Sequence, residues 1–286
     1  MSNRKGIILT GGLGTRLYPL TGIINKQLLP VYDKPMIYYP LSTLIKNGVK
    51  DVCIISSPQY LSFYIQLFGN GESLGLNIEY RLQEAPKGIS EAFLIAESFI
   101  GDSNVSLILG DNIFQGAQKF EIPDKGGTVF AYGVKNPQEY GVIDFDDKGK
   151  ALSIEEKPKK PKSKYAVPGY YCFDKNVIEY AKTLKPSARG ELEITSLIEI
   201  YLKNKSLNVI KLNRGFVWLD AGTPATLHQA ACYVQTLQER QGVSIGCVEE
   251  AAFESGFIDK DQLAKAMEHY PESDYKVYLK GILNNE

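Results

Sequence analysis

The sequence predicts an α/β fold, a mixed but mostly parallel sheet flanked by helices, with a helical tail at the C-terminal end. Three observations carry this expectation. Strand-sized apolar runs at residues 7–10, 51–56 and 105–109 alternate with longer stretches of helical period. The runs are apolar almost throughout, as in parallel strands covered on both faces. Three loops rich in glycine, amide and acidic residues (11–16, 83–88 and 110–112) each fall just after a strand. In sheets of this kind ligands sit outside the carboxyl ends of the strands.

In order, residues 35–47 read as a helix, with Pro35 suited to its first turn and Gly48 just beyond its end. Residues 51–56 are a buried strand, 59–68 a helix closed by Gly69, and 77–83 a strand of alternating polarity. After the loop 84–88 come a helix over 89–99 and a strand over 105–109. The pattern then turns to shorter strands at 127–134, 140–145, 151–156 and 170–173, with a hairpin turn at 146–149 and a Lys- and Pro-rich loop at 157–164. Helices follow at 175–184 and 191–203, then strands at 207–212 and 216–219. From Pro224 onward the periodicity is helical, over 226–241, 249–254, 260–269 and 274–282. The expected organisation is a core over 1–223, with one half at about 1–115 and the other at about 127–223, and a helical extension over 224–286.

Composition narrows the function. The chain has 286 residues and a formal net charge of −1, so no overall field favours nucleic acid or an anionic membrane. Lys159, Lys160, Lys162 and Lys164 lack the interleaved aromatics of a nucleic-acid surface. No run is long enough for a membrane span or a secretory leader, which points to a cytoplasmic protein. Cys53, Cys172, Cys232 and Cys247 are scattered in apolar settings and read as buried free thiols. Two histidines leave little scope for a histidine triad or a histidine-rich metal centre.

The first loop reads Gly11-Gly12-Leu13-Gly14-Thr15-Arg16, with Lys26 ten residues beyond Arg16. Glycines after a strand let backbone N–H groups converge on an anion, and two cations stand nearby. It matches neither the dinucleotide fingerprint nor the Walker pattern, so a phosphate cradle and a purely geometric turn both remain open. Asp111 and Asp220 each end an apolar strand. Either can hold a hard cation such as Mg²⁺ beside phosphate oxygens; otherwise Asp111 can cap the next helix and Asp220 can serve as a cap or in an Asx-turn. Glu155-Glu156-Lys157-Pro158 can be a solvated cluster, or a carboxylate for sugar hydroxyls beside an ammonium for phosphate. Arg189 opens a helical stretch where it can meet an anion. Tyr140-Gly141 can start a strand or wall a sugar ring. The set is cationic and acidic, with no nucleophile–base pair. Such a set suits a transfer in which a phosphorylated substrate is itself the nucleophile.

The stretches Gly11–Leu17, Asn25–Met36, Leu109–Phe114, Glu155–Pro158, Pro186–Thr195 and Trp218–Asp220 together resemble the sugar nucleotidyltransferases, in order and over almost the whole chain. The likeness is to the branch that joins a thymidine nucleotide to glucose 1-phosphate ahead of dTDP-rhamnose synthesis. It implies a Rossmann-like nucleotidyltransferase fold and a Mg²⁺-dependent transfer from dTTP to glucose 1-phosphate. Gly11, Gly14, Thr15, Arg16, Lys26, Gln27 and Asp111 would hold the nucleotide, with Gln83 and Gly88 on its base. Asn112, Tyr140, Gly141, Glu156, Lys157, Val167 and Arg189 would hold the sugar phosphate, and Asp111 and Asp220 the metal. Arg16, Lys26, Lys157 and Arg189 would be the catalytic cations. The resemblance also implies a homotetramer. A uridylyltransferase, a different hexose 1-phosphate and a non-catalytic sugar-nucleotide sensor are the alternatives. The chain departs from the family pattern at residues 84–90, in a shortened segment over 115–127, and at Pro168 and Ala221, where threonine is usual.

Overall fold

A computed structural model describes residues 4–12, 14–116 and 120–284. Leu13 of the glycine loop lies outside them. The centre is a ten-stranded sheet. Strands Arg4–Leu9, Asp51–Ser56, Asn77–Leu82 and Asn104–Leu109 are parallel, with Arg4–Leu9 between Asp51–Ser56 and Asn104–Leu109. Beyond Asn104–Leu109 the sheet turns antiparallel through Tyr170–Phe173 and Gly127–Gly133. Tyr165–Ala166, Gly141–Phe145 and Ala151–Glu156 extend that side. Leu207–Lys211 pairs in parallel with Gly127–Gly133.

Alternation along the strands divides the core into two layers. Ile7 and Leu9 face one apolar cluster with Ile55, Leu107 and Phe173, while Ile8 faces the other with Ile54, Ile108 and Tyr170. Of the tail helices, Pro224–Gln241 buries Ala230 and Val234 in a third cluster with Val31, Met36, Tyr39 and Ile113, while Val248–Glu254, Lys260–Met267 and Asp274–Asn284 pack on the sheet. Val248, Ala251, Leu263, Met267 and Leu279 are buried in the same cluster as Ile8 and Ile54. A buried side chain of this size contributes about 1.5–3 kcal/mol, so the tail is held chiefly by this apolar face. Glu249, only 1 % exposed, is the polar pin beneath it. It accepts hydrogen bonds from the hydroxyls of Tyr270 (2.6 Å) and Tyr275. Burial first, and then the charge of Glu249, push both hydroxyls far above the ordinary tyrosine range, which keeps them donors.

Several boundaries differ from expectation for local reasons. The first helix spans Tyr38–Lys46, because Lys34–Pro35 is drawn into a short antiparallel ladder with Pro30–Val31. The helix expected over 89–99 is two pieces, Glu91–Ile95 and Glu97–Ile100, broken where Ala96 leaves helical dihedrals. Asn112–Gln115 and Tyr165–Ala166 are strands that periodicity does not signal, being too short. Cys53, Cys172 and Cys247 are buried free thiols, but Cys232 is exposed, because the Pro224–Gln241 helix is covered on one side only. Residues 120–126 are irregular, as the shortened segment suggests. Among the described residues no helix is long and apolar enough to cross a membrane.

Removing one donor from a buried carboxylate leaves part of it unsatisfied. Tyr270→Phe is expected to lower stability by about 1–3 kcal/mol in urea unfolding at neutral pH.

Candidate active site

The carboxyl ends of Arg4–Leu9, Asn77–Leu82 and Asn104–Leu109 converge on one edge of the parallel half. The glycine loop leaves the first of these, and Gly14 caps the single turn Thr15–Leu17 that carries Arg16. Lys26 and Gln27 sit on the turn Lys26–Leu28, which Asn25 pins in place. The Asn25 side chain accepts from the Gln27 N–H (3.1 Å) and the Tyr64 hydroxyl (2.6 Å), and donates to the Thr10 carbonyl (3.2 Å). The position of Lys26 against the glycine loop is thereby fixed by a buried amide.

Lys26 forms a buried ion pair with Asp111. The second aspartate arrives through the strand pair that the sequence does not signal. Val217–Asp220 runs antiparallel to Asn112–Gln115 with Asp220 opposite Asn112, and the Ala221 N–H donates to the Asp111 carbonyl (3.2 Å). Asn112 ties this corner together. It donates to Asp111 Oδ1 (2.7 Å) and accepts from the Trp218 indole N–H (2.6 Å) and the Gly169 N–H (3.0 Å). The Arg16 guanidinium and Asp220 Oδ1 both flank Gly222, where a Cβ would meet them at 2.7 and 2.8 Å.

The two carboxylates titrate in opposite directions. Burial would raise Asp111, but the charge and hydrogen bond of Lys26, with the Asn112 bond, outweigh it and hold it below the ordinary range. Burial and then the neighbouring Asp111 charge push Asp220 well above that range, against the opposing pull of Lys26 and Arg16. Among the described residues Asp220 Oδ1 is buried with no hydrogen-bond partner. An orphaned carboxylate oxygen beside a second carboxylate lacks a positive charge. With no histidine or cysteine in the set, these donors suit a hard divalent cation completed by phosphate oxygens and water. Gln27 Oε1, in the same corner, is also buried without a partner.

A cleft of about 180 Å³ runs from Asp111, Asp220 and Arg16 toward the antiparallel half. Tyr140 and Trp218 wall it edge to face at 5.1 Å, and Val167 is fixed by its N–H on the Gly141 carbonyl (2.8 Å). Glu156 lies opposite Gly141 in the strand register. Burial and then Glu193 raise the Glu156 carboxyl, with Lys157 and Arg189 opposing. Lys157, which lines the cleft, is held at φ 43°, a left-handed conformation that costs a non-glycine residue about 1–2 kcal/mol. Arg189 is not turned into the cleft. Its guanidinium rests on Glu193 (2.8 Å) and Glu191 (3.1 Å), with Glu156 at 3.8 Å.

Gln83 and Gly88 do not line this cleft; Gln83 lies against the glycine loop and Gly88 against Leu192. The Gln83 side chain presses so closely on Gly11 that a Cβ there would lie 1.9 Å from Gln83 Oε1. Gly88 has φ 106°, and a Cβ on it would fall 2.5 Å from the backbone of Leu192. The loop carrying Gly88 is laced to the segment after Arg189: Leu192 N–H donates to the Lys87 carbonyl (2.7 Å) and Ser90 N–H to the Leu192 carbonyl (3.2 Å). Asn25, Glu91, Gly169, Glu193, Thr195 and Trp218 are the residues here that motif reading gave no role. Only the i,i+4 spacing of Arg189 and Glu193 and the polar edge of the lone tryptophan offered a signal.

A mixed sheet with a glycine loop, two half-buried aspartates and flanking cations suits a transferase of phosphate esters. The chain belongs to the Nucleotidyl transferase family, whose model matches residues 5–236. It is 50% identical over 286 residues to the glucose-1-phosphate thymidylyltransferase of Neisseria meningitidis, covering 98% of this chain and 99% of that one. It is 49% identical over 285 residues to the enzyme of the same name from Mycobacterium tuberculosis, at 98% and 99% coverage. A crystal structure from Bacillus anthracis under the same designation superposes with a TM-score of 0.74 at 40% identity, over 80% of this chain and 94% of that one. A UDP-glucose pyrophosphorylase complexed with UDP-glucose shares the fold, with a TM-score of 0.70 at 23% identity over 82% of this chain and 99% of that one.

Gly88→Ala forces a Cβ into the Leu192 backbone at a left-handed dihedral. It is expected to cost about 1–3 kcal/mol in urea unfolding and to raise the nucleotide KM more than the sugar-phosphate KM.

Proposed function

We propose that this chain transfers the thymidylyl group of dTTP to glucose 1-phosphate, forming dTDP-glucose and pyrophosphate. The observation that carries this reading is the convergence of Lys26, Asp111, Asp220 and Arg16 at the carboxyl ends of the parallel strands, at one end of a sugar-sized cleft. The relatives at about half identity over nearly their full length bear the corresponding name.

The phosphate of the sugar is an anion at neutral pH and needs no general base. One of its oxygens attacks the α-phosphorus in line. The bond to the bridging oxygen breaks, and its electron pair leaves with pyrophosphate. Gly11, Gly14 and Thr15 cradle the phosphates, while Arg16 and Lys26 stabilise the charge on the departing group. One ammonium N–H of Lys26 engages Asp111, and two remain for phosphate. Gln27 offers its unpartnered oxygen in the same corner. Asp111 and Asp220 would hold Mg²⁺, which neutralises phosphate charge and steadies the transition state when bound. Lys157 and Arg189 grip the sugar phosphate, for which Arg189 exchanges bonds to Glu191 and Glu193. Glu156 accepts from sugar hydroxyls, Tyr140, Gly141 and Val167 shape the ring site, and Asn112 holds Asp111 in line beneath it. Gln83 and Gly88 receive the pyrimidine.

Purified protein incubated with dTTP, glucose 1-phosphate and Mg²⁺ is expected to release pyrophosphate. Silence with every pyrimidine nucleotide and hexose 1-phosphate would refute the proposal. Chelation should abolish turnover and Mg²⁺ restore it. Asp111→Asn and Asp220→Asn should each lower kcat by at least about a hundredfold, the scale of a lost transition-state electrostatic interaction. Normal turnover in either would remove that residue from the metal site. The homotetramer belongs to the same proposal, and sedimentation of a monomer would count against it.

A further inference from the structure

Glu91 has no role in the chemistry above, yet it touches the residue assigned to the base. Gln83 is 4 % exposed, and its Nε2 donates to Glu91 Oε2 at 2.8 Å. The same Glu91 oxygen accepts from the Lys87 N–H at 3.3 Å, so one carboxylate spans the loop that ends in Gly88. A carboxylate accepts and never donates. The amide of Gln83 can therefore keep this bond in one orientation only, with Nε2 toward Glu91 and Oε1 toward the glycine loop. Among the described residues Oε1 accepts no hydrogen bond, and it lies against Gly11.

We infer that Glu91 is a positioning residue that fixes the polarity of Gln83 and thereby selects nucleotides with a lactam pyrimidine over cytidine nucleotides. The inference rests on the reading that Gln83 faces the base. Thymine and uracil present an N3–H donor flanked by carbonyl acceptors. The fixed amide offers the complement, an acceptor at Oε1 and its second Nε2–H as donor. Cytosine presents an acceptor at N3 and an amino donor beside it. To match cytosine the amide must invert, which turns Oε1 onto the Glu91 carboxylate. That exchanges a charge-assisted bond for two acceptors face to face. The discrimination therefore comes from a repulsion built behind the contact residue, in addition to the contact itself. Thymine and uracil share the same edge, so Glu91 does not separate dTTP from UTP.

The test compares kcat/KM for dTTP and for UTP with the Ki of dCTP as a competitor, all with glucose 1-phosphate and Mg²⁺. In Glu91→Gln the new amide can invert together with Gln83, while size is kept. The expected result is a dCTP Ki lowered at least about tenfold relative to the dTTP KM, with the ratio of dTTP to UTP unchanged. Glu91→Met, which cannot accept at all, should move the same ratio in the same direction. If Glu91 merely supports the loop, both variants weaken all three nucleotides by one common factor, and that result overturns the inference. Gln83→Leu separates the two levels. If it shifts the dTTP-to-dCTP ratio while the Glu91 variants do not, the base contact stands and the role of Glu91 falls. If it leaves the ratio unmoved, the base contact falls and the inference with it.

Discussion

The buried ion pair between Lys26 and Asp111 is the constraint on which the site depends. Removing one partner from such a pair typically costs about 3–5 kcal/mol, because the other charge is left uncompensated in a poor dielectric. The Lys26 ammonium pairs with Asp111, and among the described residues Asp220 Oδ1 has no hydrogen-bond partner. A fold tuned for stability alone would have replaced one of these acids. Retaining both leaves two neighbouring carboxylates facing the cations Lys26 and Arg16.

The sheet makes this corner possible by being two sheets in one. The parallel half gathers three loops at one edge, which supplies the glycine loop, the loop over residues 83–88 and Asp111. The antiparallel half, joined through Tyr170–Phe173, brings Glu156, Lys157 and the Tyr140 wall to the same edge from the other side. The two halves are also tied by loops. Gly88 sits on Leu192, three residues beyond Arg189, so the loop carrying Gly88 and the segment carrying Arg189 share one short structural unit. Arg189 itself rests on neighbouring carboxylates, which keeps a paired cation near Glu156.

Much of the fold was legible in the sequence. Asp51–Ser56 and Ala151–Glu156 stand at their expected bounds, and Asn77–Leu82 ends one residue early. Their apolar runs and flanking turn residues leave little choice. The errors cluster where the local signal is weak. Asn112–Gln115 is four residues long and follows an aspartate that could equally have capped a helix. The break at Ala96 obeys packing against the rest of the core, not propensity, since alanine is the best helix former. The exposure of Cys232 follows from which side of its helix the core covers.

What the sequence by itself determined was the order of elements and the kinds of residue at each strand end. These follow from local chemistry: glycine for a turn that approaches a ligand, apolar alternation for a covered strand, acids and bases where charge must be placed. What only the tertiary structure decided was which charges meet. Asp111 and Asp220 are separated by more than a hundred residues and become neighbours only because Val217–Asp220 pairs with Asn112–Gln115. The pairing of Lys26 with Asp111, the turn of Arg189 onto Glu193 and the hold of Glu91 on Gln83 depend on side-chain geometry within a few ångströms. Electrostatic and hydrogen-bond energies change steeply over such distances, and spacing along a chain does not encode them.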